Sequence, residues 1–134
     1  MKYFLLTLLS VIAAVIPCKV FADPNLYQCQ VMSDAYISNG GALEVVRDSP
    51  RVDQKFTVIK NTGEVIGDVM DALKNPKIVA SGGGKNSYKV IWEQEAVGKN
   101  GAFVDYLSIQ ESVKGKKKPF GFFSGSLLLT GLCE

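Results

Sequence analysis

An all-β fold, a small antiparallel barrel of about eight strands closed by one disulfide, is the architecture this sequence predicts. Three observations carry it. Apolar and polar residues alternate in short runs along most of the chain, the pattern of half-buried strands. Thirteen glycines, all beyond residue 22, sit where many short strands need turns. Cys29 and Cys133 stand near the two ends of the globular part, and a bridge between them makes its first and last segments neighbours. A two-sheet β-sandwich satisfies the same observations and stays open as the alternative.

In chain order, Leu26 to Ser33 reads as the first strand and Ala42 to Arg47 as the second. Lys55 to Lys60 alternates Phe56 and Val58 against Lys55 and Thr57, and Asn61-Thr62-Gly63 turns it into a returning strand from Glu64 to Gly67. Val65, Ile66, Val69, Met70 and Leu73 then fall at helical spacing, which predicts one or two helical turns over Asp68 to Lys74, stopped before Pro76. Lys77 to Ser81 is a short strand, followed by the loop Gly82-Gly83-Gly84-Lys85-Asn86. From Ser87 to Glu93 the alternation is clear: Tyr88, Val90 and Trp92 form the core face, with Ser87, Lys89 and Glu93 opposite. Gly98 to Gly101 is a turn, Ala102 to Gln110 a long strand, and Phe120 to Cys133 two strands folded about Ser124-Gly125. The prolines after residue 22 are expected between strands.

Ahead of this domain, Met1 and Lys2 lead into an apolar run from Tyr3 to Ile16, Pro17 breaks it, and Val20-Phe21-Ala22 ends in a small-x-small cleavage pattern. Residues 1–22 thus read as a cleaved secretory signal peptide and residues 23–134 as a single exported domain, periplasmic or secreted. The apolar run is shorter than the roughly 20 residues of a membrane span, so no transmembrane segment is expected in the mature chain. Lys2, Lys19 and Cys18 leave with the signal. Of 15 basic and 13 acidic residues, 13 of each remain, and the formal charge of the domain is zero. A neutral domain has no global pull on nucleic acid, so none is expected as a partner. The two remaining cysteines form an even pair in an oxidising compartment, which favours a structural disulfide over a redox pair.

The chemistry is bounded by the absence of histidine. Ser-His and Cys-His nucleophile pairs and the usual zinc and copper sites are excluded, and no cofactor is expected. Carboxylate or lysine chemistry remains. Glu93 and Glu95 are the closest pair, on a strand face that reads as solvated, while Asp105 shares parity with Phe103, Leu107 and Ile109 and is expected to point inward. A carboxylate-based hydrolase is therefore the enzymatic alternative to a non-enzymatic reading. Ser81 to Lys89 fails the phosphate-loop pattern, with Val79 where a glycine is required and Asn86 after Lys85. It stands as a candidate binding loop through Ser81, Gly82, Lys85 and Tyr88. Lys114, Lys116, Lys117 and Lys118 form a candidate basic patch, the alternative being a solvated turn that keeps a sheet edge unpaired. Phe120 and Phe122 share core parity, and Phe123 falls on the opposite face.

Two resemblances accompany this reading. Val104-Asp105-Tyr106-Leu107, Val113-Lys114-Gly115, Lys118-Pro119-Phe120 and the closing Gly131-Leu132-Cys133-Glu134 look like small exported bacterial proteins of uncharacterised function. Tyr27-Gln28-Cys29, Ser81-Gly82, Trp92 and Cys133 occur in the order of the periplasmic inhibitors of C-type lysozyme. That family resemblance implies a small β-barrel whose loop, here residues 81–88, enters the lysozyme cleft; Lys85 stands where its pattern has tyrosine, and Tyr88 follows three residues later. The function expected is a non-enzymatic binding or envelope-accessory module of unknown partner, with lysozyme inhibition as its specific alternative.

Overall fold

The computed structural model describes residues 23–70, 72–95 and 102–134, Glu95 by its backbone alone. The signal peptide expected over residues 1–22, the turn expected over Gly98–Gly101 and the side chain of Glu95 lie outside what is described. Within these residues the chain forms β1 (Leu26–Ile37), β2 (Leu43–Val45), β3 (Lys55–Ile59), β4 (Val65–Ile66), a 3-10 turn (Asp68–Met70), β5 (Pro76–Ser81), β6 (Tyr88–Glu95), β7 (Ala102–Ile109), β8 (Lys118–Ser124) and β9 (Leu127–Cys133). All strands belong to one antiparallel sheet in the order β4-β3-β1-β9-β8-β7-β6-β5, with β2 added beside the distal half of β1. A single continuous sheet replaces the sandwich alternative.

The sheet curls on itself without hydrogen bonding β4 to β5. Side-chain contacts span that seam instead. The Tyr88 hydroxyl donates to the Lys60 carbonyl at 3.0 Å, and Gly63 lies so close to Val90, Pro76 and Ile78 that a Cβ there would come within 2.9 Å of the Val90 side chain. The product is an open barrel whose inward face holds the core. Tyr27 and Tyr88 meet at 5.2 Å between ring centroids, Phe56 and Phe120 edge-on at 5.1 Å, and Trp92 and Phe122 edge-on at 6.4 Å. Val90, Trp92, Leu107, Ile109 and Leu129 are wholly buried among them. Phe123 points outward, half-exposed, and stacks on Tyr106 of the neighbouring strand at 6.4 Å.

Cys29 and Cys133 are directly opposed in the β1–β9 ladder and form the disulfide, with their Cα atoms 3.9 Å apart at a sequence separation of 104. Beside it the pairing slips by one residue between Val31 and Ser33. Gly131 makes that bulge possible: a Cβ at this position would overlap the Gln30 carbonyl oxygen and come within 2.7 Å of the Phe120 ring. The bulge also carries β1 on to Ile37, beyond the strand end expected at Ser33, because the shifted register finds new partners in β9 and then β2.

Two expectations are corrected. The helical turns expected over Asp68 to Lys74 contract, among the described residues of that stretch, to one 3-10 turn, whose Met70 is buried against the core while Val69 and Leu73 pack at the core's margin. Two prolines lie in strands. Pro76 opens the edge strand β5, where no ladder donor is needed. Pro119 is the second residue of β8; its carbonyl accepts from the Gln110 amide past the last β7–β8 pair, and the Gln110 carbonyl on the same side accepts from the Val113 amide, so the missing proline N–H leaves it partnered.

Candidate functional site

The register of the sheet decides which loops meet. Ser81 pairs with Tyr88, Tyr88 with Ile109 and Ile109 with Phe120, so loop 82–87 and loop 110–117 leave the same end of the barrel on neighbouring strands. The candidate loop and the candidate basic patch, separate in sequence, become one surface. Ser81, Lys85, Lys114, Lys116 and Lys117 are exposed there. Lys118 is partly buried, and its ammonium donates to the Val113 carbonyl, bracing the loop rather than facing outward.

Gly82, Gly83 and Gly84 adopt φ of 76°, 130° and 74°, values that side chains disfavour. This backbone points successive amides toward one place. The Gly83 N–H donates to Glu111 Oε2 at 2.6 Å, and the Gly84 N–H reaches the same oxygen at 3.4 Å. Glu111 is the sole acidic residue in either loop. Among the described residues the only ion pair is that between Arg51 and Asp34, so Lys85, Lys114, Lys116 and Lys117 hold their charges without a carboxylate partner.

Tyr88 belongs elsewhere. It is 1% exposed in the interior, its hydroxyl is committed to the Lys60 carbonyl, and burial pushes that hydroxyl up to about 12. It closes the barrel and supplies no exposed contact to the loop. At the same end, the Lys60 ammonium sits 4.1 Å from the centroid of the Tyr27 ring; burial lowers its pKa, against an opposing pull from Asp23. On the outer face an open cleft of about 570 Å³ runs past Gln28, Gln30, Met32, Lys55 and Leu132 to Lys117, extending the lysine-bearing end along the side of the barrel.

Three further carboxylates lie outside these two loops. Asp105 points inward, 9% exposed, opposite Trp92 and Ser124 in the ladder, and lines an opening at the other end of the barrel with Gln94, Phe103 and Ser126. Glu93 is exposed on the outer face, on the opposite side of the sheet from Asp105. The third, Asp34, is one that sequence reading passes over. It is 1% exposed, accepts a 2.5 Å hydrogen bond from the Ser49 hydroxyl and one of 3.1 Å from Arg51, and so anchors the segment between β2 and β3 to the barrel. Extrapolating the alternation of Tyr27, Cys29 and Val31 puts Asp34 outside; the bulge after Val31 turns it in. Asp34→Ala leaves the buried Ser49 hydroxyl without an acceptor for its proton, though it still accepts from the Arg51 amide, and is expected to lower the unfolding free energy by about 2–3 kcal/mol in urea titrations. Arg51→Ala removes a half-exposed partner and is expected to cost no more than about 1 kcal/mol. Comparison of this chain with protein-family models, curated proteins and solved structures finds no match.

Proposed function

We propose that this protein is an exported, non-enzymatic binding module whose lysine-bearing barrel end docks on an acidic protein surface. One observation carries the reading: Lys85, Lys114, Lys116 and Lys117 stand exposed on two adjacent loops whose single carboxylate is already held by backbone amides. Uncompensated like charges on one rim attract an opposite surface and steer its approach, even on a domain of zero net charge. The packed interior supports the same choice, because it directs recognition to loops and outer face. The disulfide, and the lack of any helix among the described residues long and apolar enough to cross a membrane, are compatible with an exported protein.

The test uses immobilised poly-L-glutamate as the acidic probe. Wild-type protein is expected to bind, with affinity falling as sodium chloride rises, and the Lys114→Glu, Lys116→Glu, Lys117→Glu triple variant to bind at least about tenfold more weakly. These lysines lie outside the core, so circular dichroism of the variant is expected to match wild type. No binding by the wild type, or equal binding by the triple variant, would overturn the reading. Lysozyme is a narrower choice of partner that the resemblance of residues 81–88 suggests, since a glycosidase cleft presents paired carboxylates. With Tyr88 buried, Ser81, Lys85 and Asn86 are the exposed side chains the loop has to offer, and an excess of protein in a C-type lysozyme assay decides whether they inhibit.

A further inference from the structure

We propose that Gly82, Gly83 and Gly84 form a carboxylate-binding nest, that Glu111 fills it in the free protein, and that an acidic side chain of the partner takes its place on docking. The inference rests on the binding reading above and names the group the loop recognises. Its basis is where Glu111 goes. It is the only acid on two loops that also carry Lys85, Lys114, Lys116 and Lys117, yet its carboxylate turns to the Gly83 and Gly84 amides and pairs with none of those ammonium groups. The nest is the preferred position for a carboxylate in this neighbourhood.

The glycines serve this geometry directly. A Cβ at Gly83 or Gly84 would meet nothing within 4 Å, so packing does not demand glycine at either position. The positive φ at each does, and it is this conformation that turns consecutive N–H groups toward one anion. Both glycines are exposed on the surface of the loop. At Gly82 a Cβ would run into the Glu111 carboxylate itself, which places the bound group against the loop backbone. Because Glu111 lies 28 residues away in sequence on the adjacent loop, it competes as an intramolecular ligand that a carboxylate from solution must displace. A partner overcomes that competitor by adding contacts to the lysines. Exchange conserves charge in the nest, one carboxylate for another, and frees Glu111 to move off with its loop.

The experiment follows the Gly83 and Gly84 amide resonances during titration with sodium acetate, against sodium chloride at equal ionic strength, in wild type and in Glu111→Ala. In the variant both amides are expected to shift saturably with acetate, and in the wild type to shift at least about fivefold less at the same concentration. Glu111→Gln, which keeps an acceptor oxygen without the charge, is expected to fall between them. Absence of a saturable shift at these amides in Glu111→Ala, or equal shifts in wild type and variant, would overturn the proposal. Poly-glutamate binding by the wild type separates the two readings: bound polymer with silent amides sinks the nest alone, and acetate-responsive amides without polymer binding sink the lysine-docking reading alone.

Discussion

Replacing both Cys29 and Cys133 by alanine is expected to lower the unfolding free energy by about 4–5 kcal/mol, from the loop-closure entropy returned to a denatured chain freed of a bridge of this span. Against a total of about 5–15 kcal/mol for a domain of this kind, the loss is a large share. The position of the bridge explains why the effect belongs to the unfolded state. Cys29 and Cys133 face each other across β1 and β9, and the Gln28 and Glu134 backbones exchange hydrogen bonds at 2.8 and 2.9 Å beside them. Alanine fits both buried positions, and the ladder can re-form without the sulfurs. What changes is the cost of finding it, because β1–β9 joins the first strand to the last whereas β5 to β9 are joined in succession by antiparallel pairings of chain neighbours. Urea titration of oxidised wild type and the double variant measures the difference. A loss below about 1 kcal/mol would mean that the denatured chain already keeps its ends together.

The same contrast between local and distant pairing separates what the residues announce from what they hide. Tyr88, Val90 and Trp92 alternate so regularly that β6 and its core face are legible, as are the inward parity of Asp105 and the opposed cysteines at the ends. Burial on one face is a property of each strand by itself, so alternation suffices. Asp34 shows the limit. Its inward direction depends on a one-residue slip that Gly131, 97 positions later, permits, and no local pattern in β1 records it. The meeting of residues 82–87 with 110–117 is hidden for a related reason: each loop is recognisable from its glycines and lysines, but their adjacency follows from the β6–β7 and β7–β8 registers. Tyr88 was legible as core and also as a loop residue, and only the seam between β3 and β6, bridged by its hydroxyl to Lys60, decides for the core. Glu111 carries no sequence signal at all, being one acid at the start of a basic loop until the three positive φ values place amides beside it.

Trp92→Ala is expected to lower the unfolding free energy by about 3–5 kcal/mol, lost burial and the cavity adding together. For a domain of this size the melting midpoint should fall by about 10–20 °C. Trp92 is wholly buried, meets Phe122 edge-on, and stands in the inward row with Asp105 and Ser124, toward the end of the barrel away from the lysine loops. Its indole nitrogen is buried with no hydrogen-bond partner among the described residues. Trp92→Phe keeps most of the ring and discards that unpaired N–H, so its cost should be about 1–2 kcal/mol, much less than alanine's. Circular dichroism in thermal and urea scans checks both. The pair also discriminates between interior and rim as the place of recognition. Below its melting midpoint, folded Trp92→Ala should bind poly-glutamate as wild type does, because the hollow it creates lies in the core and the lysines stay where β7 and β8 hold them. A folded Trp92→Ala that loses the polymer would instead make the packed interior part of the binding site, and the reading of this protein would move from its loops to its core.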